Sequence, residues 1–90
     1  MPGDSVHANP DDLRMFAMDV RSFAENAEDA GVGLRGRFKR LDWDDDQQRR
    51  FGQQLDEAVS HLRRLVLAVD NDLIPYLTSK AAHLERYQGR

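Results

Sequence analysis

The chain has no cysteine, only three prolines, one tryptophan, and no aliphatic run longer than the five residues Leu65 to Val69. Without cysteine there is neither a disulfide framework nor a thiolate metal site, and the redox compartment is left open. A five-residue apolar run is far short of the ~20 residues that span a bilayer, so no membrane insertion is expected. Net charge is −3 over 90 residues, which gives no general pull toward nucleic acid or anionic membrane. The first residues, Met1 to His7, contain neither a basic stretch nor an apolar run, and no secretory signal peptide is expected there.

What is present is helical patterning on either side of one acidic connector. Trp43 sits in Leu41-Asp42-Trp43-Asp44-Asp45-Asp46, and a ring able to bury ~150–250 Å² contributes most where two helices meet. The aspartates after it suit a helix start, Asp44 or Asp45 accepting from free backbone N–H groups near the positive end of the helix dipole. Upstream, Asn9-Pro10-Asp11-Asp12 reads as N-cap, first helical residue and acidic first turn. The expected organisation is a flexible segment over 1–8 and one domain over 9–90. Within that domain we expect helix 1 over 10–40, a turn over 41–45, helix 2 over 46–74 and a C-terminal helical segment over 76–87 ahead of a frayed end.

In helix 1, Leu13, Phe16, Val20, Phe23, Ala27, Ala30 and Leu34 alternate by three and four, and Phe38 and Leu41 continue the stripe. Arg14, Arg21, Glu25 and Glu28 fall off it. Gly31, Gly33 and Gly36 each cost ~1 kcal/mol relative to alanine inside a helix, so a local kink or fray is expected. The same glycines spell the dinucleotide-binding fingerprint, but that mechanism needs a preceding strand and a parallel sheet, and a helical pattern precedes them instead. No cofactor is expected. In helix 2, Phe51, Leu55, Ala58, Val59, Leu62, Leu65, Val66, Val69 and Leu73 form a face wider than one partner helix requires. Pro75 disfavours helix at Ile74 and implies a bend or break.

Catalysis and metal binding find no support in the pattern. Asp42, Asp44 and Asp46 have the alternation of a calcium loop, but Gln47 and Gln53 stand where it needs glycine and a bidentate acid. Glu57 and His61 lie one turn apart without a third ligand, and a surface hydrogen bond explains the pair. His7 and His83 have no nucleophile near them in sequence, and neither Ser60 nor Ser79 lies in a nucleophile motif. Arg35, Arg37, Lys39, Arg40, Arg49 and Arg50 cluster by the turn, where the aspartates among them neutralise a phosphate-binding reading. The chain reads as a non-enzyme without metal, cofactor or nucleic acid.

Two helices of this size around a central tryptophan resemble the WXG family, the helical-hairpin proteins associated with type VII secretion. Trp43 matches the motif tryptophan, Phe51 eight residues later matches the usual apolar position in helix 2, and Leu62, Val69 and Leu77 fit the spacing beyond it. Asp45 stands where the motif has glycine, so a left-handed turn there would be less comfortable. The export signal of the family, a tyrosine followed four residues later by an acid, is not matched, since Tyr76 is followed at that distance by Lys80. The resemblance implies an all-α antiparallel hairpin with a Trp-bearing turn, dimerising into a four-helix bundle. It implies a partner of a larger type VII substrate, or a homodimer, acting as adaptor, carrier or chaperone. Localisation would be cytoplasmic before export, with the export signal supplied by the partner. A different class fits the same composition, a cytosolic regulator of the antitoxin or immunity type that binds one protein and is never exported.

Two-helix domains of this length are marginal alone, so a second contact surface is expected. Met15 and Met18 on helix 1, and Leu67 and Ile74 on helix 2, lie off the main stripes and are assigned to it. Helices 10–40 and 46–74 are similar in length and should end level, which would leave Tyr76, Leu77, Leu84 and Tyr87 projecting past the hairpin for partner contacts.

Overall fold

The computed structural model describes residues 8–88, all but a short connector of which are helical from Pro10 onward. Helix α1 spans Pro10–Lys39, α2 spans Asp46–Ala68, a π-helical turn covers Val69–Leu73, and α3 spans Ile74–Gln88. The flexible segment expected over 1–8 lies outside the described residues except for Ala8, as do the last two residues of the expected frayed end.

Both helix starts follow from side-chain caps. Asn9 Oδ1 accepts from the N–H groups of Asp11 at 2.8 Å and Asp12 at 3.2 Å, with Pro10 at the position where a missing N–H costs nothing. At α2 the cap is Asp45, whose Oδ1 accepts from the Gln48 N–H at 2.8 Å. Asp45 has φ −152° and ψ −177°, extended backbone open to any residue. The discomfort expected of a non-glycine there is therefore absent, and an aspartate is the better residue for this job. Helix α1 ends in tight turns, Arg40 N–H to Arg37 O and Leu41 N–H to Phe38 O, both 3.1 Å. The three glycines do not interrupt it.

The two long helices run antiparallel with a heptad register. Arg21 pairs with Asp70 at 3.3 Å, Glu28 with Arg63 at 3.3 Å and Arg35 with Asp56 at 4.0 Å. Each step is seven residues forward on α1 and seven back along the second arm, from Asp70 in the π-helical turn to Arg63 and Asp56 on α2, so this ladder marks one long edge of the hairpin. Beside it runs the seam, where α1 contributes Ala17, Ala24 and Gly31, again seven apart, and the second arm contributes Val59 and Val69 as buried residues. Small residues on α1 let the backbones approach. A Cβ on Gly31 would lie 2.7 Å from Leu62 Cδ1 and 3.5 Å from Val59 Cγ2.

Pro75 does not break the second arm. Its ring would clash with the carbonyl four residues back and it has no N–H to donate. The chain answers by widening one turn: the N–H of Ile74 bonds to the carbonyl of Val69, five residues back. Thr78 Oγ1 also donates to the carbonyls of Ile74 and Pro75, at 2.9 and 3.2 Å. The wide turn inserts one residue into the register. The three-four alternation through Val59, Leu62, Val66, Val69 and Leu73 would continue to Tyr76, Lys80 and His83, yet the buried residues are Leu77, Ala81 and Leu84.

The first half of the segment after Pro75 therefore does not project past the hairpin, and only the end of α3, with the exposed Tyr87, runs beyond Pro10. The first half packs along the N-terminal part of α1, and Arg14 closes the end with a two-pronged contact to Glu85 at 2.7 and 2.8 Å. Level ends were expected from helix lengths alone. The ion-pair register instead pairs residues whose numbers total 91, which sets Pro75 opposite Phe16 and leaves two turns of α1 beyond it to cover the first half of α3.

Candidate interaction surface

The connector builds an aromatic cluster from both helices. Phe38 of α1 and Phe51 of α2 have ring centroids 5.4 Å apart, and Trp43 meets the first edge-on at 5.9 Å and the second at 6.5 Å. Gly52 makes room for the Phe38 ring, whose Cε2 lies 3.0 Å from where a Cβ would stand. Trp43 touches both helix ends but remains 39% exposed, and Phe51 is exposed as well. The carboxyl of Asp45 is held below the usual aspartate range, first by the Gln48 N–H and then by the Trp43 side chain. The turn residues Trp43, Asp45 and Phe51 thus form one unit in which ring packing and helix capping share a side chain.

The apolar stripe expected to be the α1 seam is largely not the seam. Phe16 and Phe23 are 56% and 69% exposed, Ala30, Leu34 and Leu41 are exposed, and Leu13, Val20, Ala27 and Phe38 are half-buried. These residues lie on the edge of α1 opposite its ladder residues Arg21, Glu28 and Arg35. On the second arm Phe51, Ala58 and Leu65 are likewise exposed on the edge away from Asp56, Arg63 and Asp70. Since the charged edges meet, the apolar edges lie together on the other side. At the turn end they form a groove of about 370 Å³ lined by Leu34, Arg37, Phe38, Leu41, Phe51 and Leu55. A neighbouring hollow is lined by Trp43, Gln47, Arg50, Phe51 and Gln54.

Other residues assigned to a second surface are distributed differently. Met15, Met18 and Leu67 are exposed but turn away from this face, and Tyr76 and Tyr87 are exposed on α3, with Tyr87 edge-on to His83 at 4.7 Å. Ile74 is half-buried. Leu77 and Leu84 are buried in the hairpin and are not open to a partner, because the inserted residue turned them inward. The face missed by sequence reasoning comprises Phe16, Phe23, Leu34 and Leu65. Its signal was present, since α1 has large apolar residues on one stripe and small ones on the adjacent stripe, and close-packed helices select the small ones.

The polar clusters resolve into local pairs. Arg49 bridges Asp44 at 3.5 Å and also contacts Asp46, so two of the three alternating aspartates are engaged by one guanidinium. His61 Nδ1 lies 2.6 Å from Arg64 Nη2 rather than meeting Glu57. Among the described residues no three His, Cys, Asp or Glu side chains gather as a metal site, and no helix is long and apolar enough to cross a membrane. No protein-family model matches the chain, and neither a curated protein nor a solved structure matches it.

Proposed function

We propose that the chain is a non-enzymatic interaction module that uses the apolar edge of its hairpin to pair with another helical protein. The observation that carries this reading is the exposed strip Phe16, Phe23, Leu34, Phe51 and Leu65 on one side of a hairpin whose other side is laced by ion pairs. Large apolar residues on one contiguous face of a small chain mark an association surface. A second helical pair laid on that strip makes a four-helix bundle.

The reading rests on the resemblance of the Trp-bearing turn and its flanking helices to WXG proteins, and we assign the module the role of adaptor, carrier or chaperone for a larger type VII substrate, or for a second copy. The chain is then cytoplasmic until it leaves with its partner, which supplies the export signal. Co-expression with the products of adjacent open reading frames, followed by native mass spectrometry, tests the interaction. A one-to-one assembly lost on Phe23→Asp is the expected result. Phe23 is 69% exposed, so the substitution leaves the hairpin folded. Appearance in the culture medium that depends on the secretion ATPase tests the export role; strict retention with intact partner binding would favour the cytosolic regulator.

A further inference from the structure

We propose that the turn end binds an acidic amphipathic segment of a partner protein, which seats a large apolar side chain in the groove and sets carboxylates against Arg37 and Arg50. This rests on the interaction reading above and names the chemistry of what the turn end takes. Phe51 stands between two hollows, the apolar groove with Arg37 on its wall and the hollow that holds Trp43, Gln47, Arg50 and Gln54. Gln47, Arg50, Phe51 and Gln54 follow a three-one-three spacing, which puts them on one face at the start of α2. An arginine from each arm thus flanks the ring, with two side-chain amides beside it.

The positive charge around this ring is not used by the fold. Arg37, Lys39, Arg40 and Arg50 have no ion pair among the described residues, whereas Asp44 and Asp46 are both engaged by Arg49 and Asp45 by the α2 cap. Unpaired guanidinium groups beside exposed apolar surface are complementary to an apolar residue flanked by carboxylates, which arginine binds with two parallel hydrogen bonds. A phosphate polymer fits less well, because Asp42, Asp44 and Asp46 are exposed in the same connector and would repel its backbone. A small molecule fits less well too. The groove, about 370 Å³, is at the low end of the ~300–1,000 Å³ of ligand pockets, and with Leu34, Leu41 and Phe51 exposed it is too open to enclose one. A groove of this shape takes a side chain of a larger partner, with acids before and after it reaching the two arginines.

Trp43 is the single tryptophan and lines the hollow beside Phe51, so its emission reads binding in the full, unmodified chain. The probes are two tryptophan-free synthetic peptides with leucine and phenylalanine one helical turn apart, one with glutamates flanking them and the other with lysines. The acidic peptide should shift Trp43 emission saturably and bind about tenfold tighter than the basic one at low salt, and Arg37→Glu with Arg50→Glu should reverse that preference. Both positions are exposed, and circular dichroism checks that the helices persist. Equal binding of the two peptides, or a preference unchanged in the double variant, would overturn the assignment. So would a single-stranded oligonucleotide that binds tighter than the acidic peptide, or wild-type self-association abolished by the same double variant, which would make a second copy the occupant. No response to either peptide, with a co-expressed partner still lost on Phe23→Asp, would overturn it and leave the interaction reading standing; no response and no partner would overturn both.

Discussion

Gly31 of α1 lies so close beneath Leu62 of α2 that a Cβ added to it would come within 2.7 Å of Leu62 Cδ1. The atom in the way is the end of a movable side chain, and Val59 Cγ2 at 3.5 Å is at ordinary contact distance. Gly31→Ala therefore sets a helix gain of ~1 kcal/mol against displacement of Leu62, and near-neutral stability is expected. In a Leu62→Ala background the obstacle is gone and the same change should stabilise by ~1 kcal/mol. Denaturant melts of the four chains give the coupling, and strict additivity would mean that the two residues do not meet. Gly33→Ala, with only the Arg37 guanidinium near at 3.9 Å, should stabilise in either background.

The Val69–Leu73 turn fixes which face of α3 is inside. Removing Asn71 in a Pro75→Ala chain takes out the inserted residue, so the wide turn should close into ordinary helix with Leu77, Ala81 and Leu84 still in the seam. Closing the turn with the residue count kept would instead bring Tyr76, Lys80 and His83 inward, and losing two buried leucines would cost at least ~3 kcal/mol. Pro75→Ala alone keeps the residue count and should leave the register intact, as amide exchange along α3 would show.

In the ladder of Arg21–Asp70, Glu28–Arg63 and Arg35–Asp56 one partner of each pair is exposed and the other half-buried, and each pair is worth ~0–1 kcal/mol. Its larger role is alignment. Glu28→Arg should lower stability slightly and make it rise with added salt, and Arg63→Glu in the same chain should restore the original salt response. A double variant that behaves like the single one would show that the two side chains do not interact in solution.

Trp43→Ala removes a ring that is 39% exposed, so the loss should be ~1–2 kcal/mol and not the ~3–5 kcal/mol of a fully buried aromatic. Tryptophan emission reports its surroundings directly. A fully buried spectrum and a loss above ~3 kcal/mol would contradict the geometry seen here.

Acid should act on the caps and the end clamp. The carboxyl of Asp45 is lowered chiefly by the Gln48 N–H, and that of Glu85 by its hydrogen bonds from Arg14. A carboxylate with a depressed folded-state pKa stabilises above its unfolded value, about 4, and loses that contribution as pH falls through the folded value. Asp45→Asn and Glu85→Gln should each flatten the loss of stability below about pH 4. Melts from pH 7 to pH 2 check this, and acid profiles identical to wild type would remove both groups from the account.

Local chemistry alone determined the helix starts, the turn and the helical class. Asn9, Pro10 and Asp45 act on backbone groups within three residues, so their effect is legible without knowing what lies across the hairpin. The packing faces were another matter. Apolar periodicity weights a residue by its transfer free energy and so points to Phe16, Phe23 and Leu34, whereas two backbones in close contact select by size and take Ala17, Ala24 and Gly31. The alignment of α3 was equally out of reach, because Pro75 fixes only that its own turn must change. Whether that turn breaks or widens by one residue was decided by the burial of Leu77, Ala81 and Leu84 against the first turns of α1, a balance that exists only once the arms are side by side.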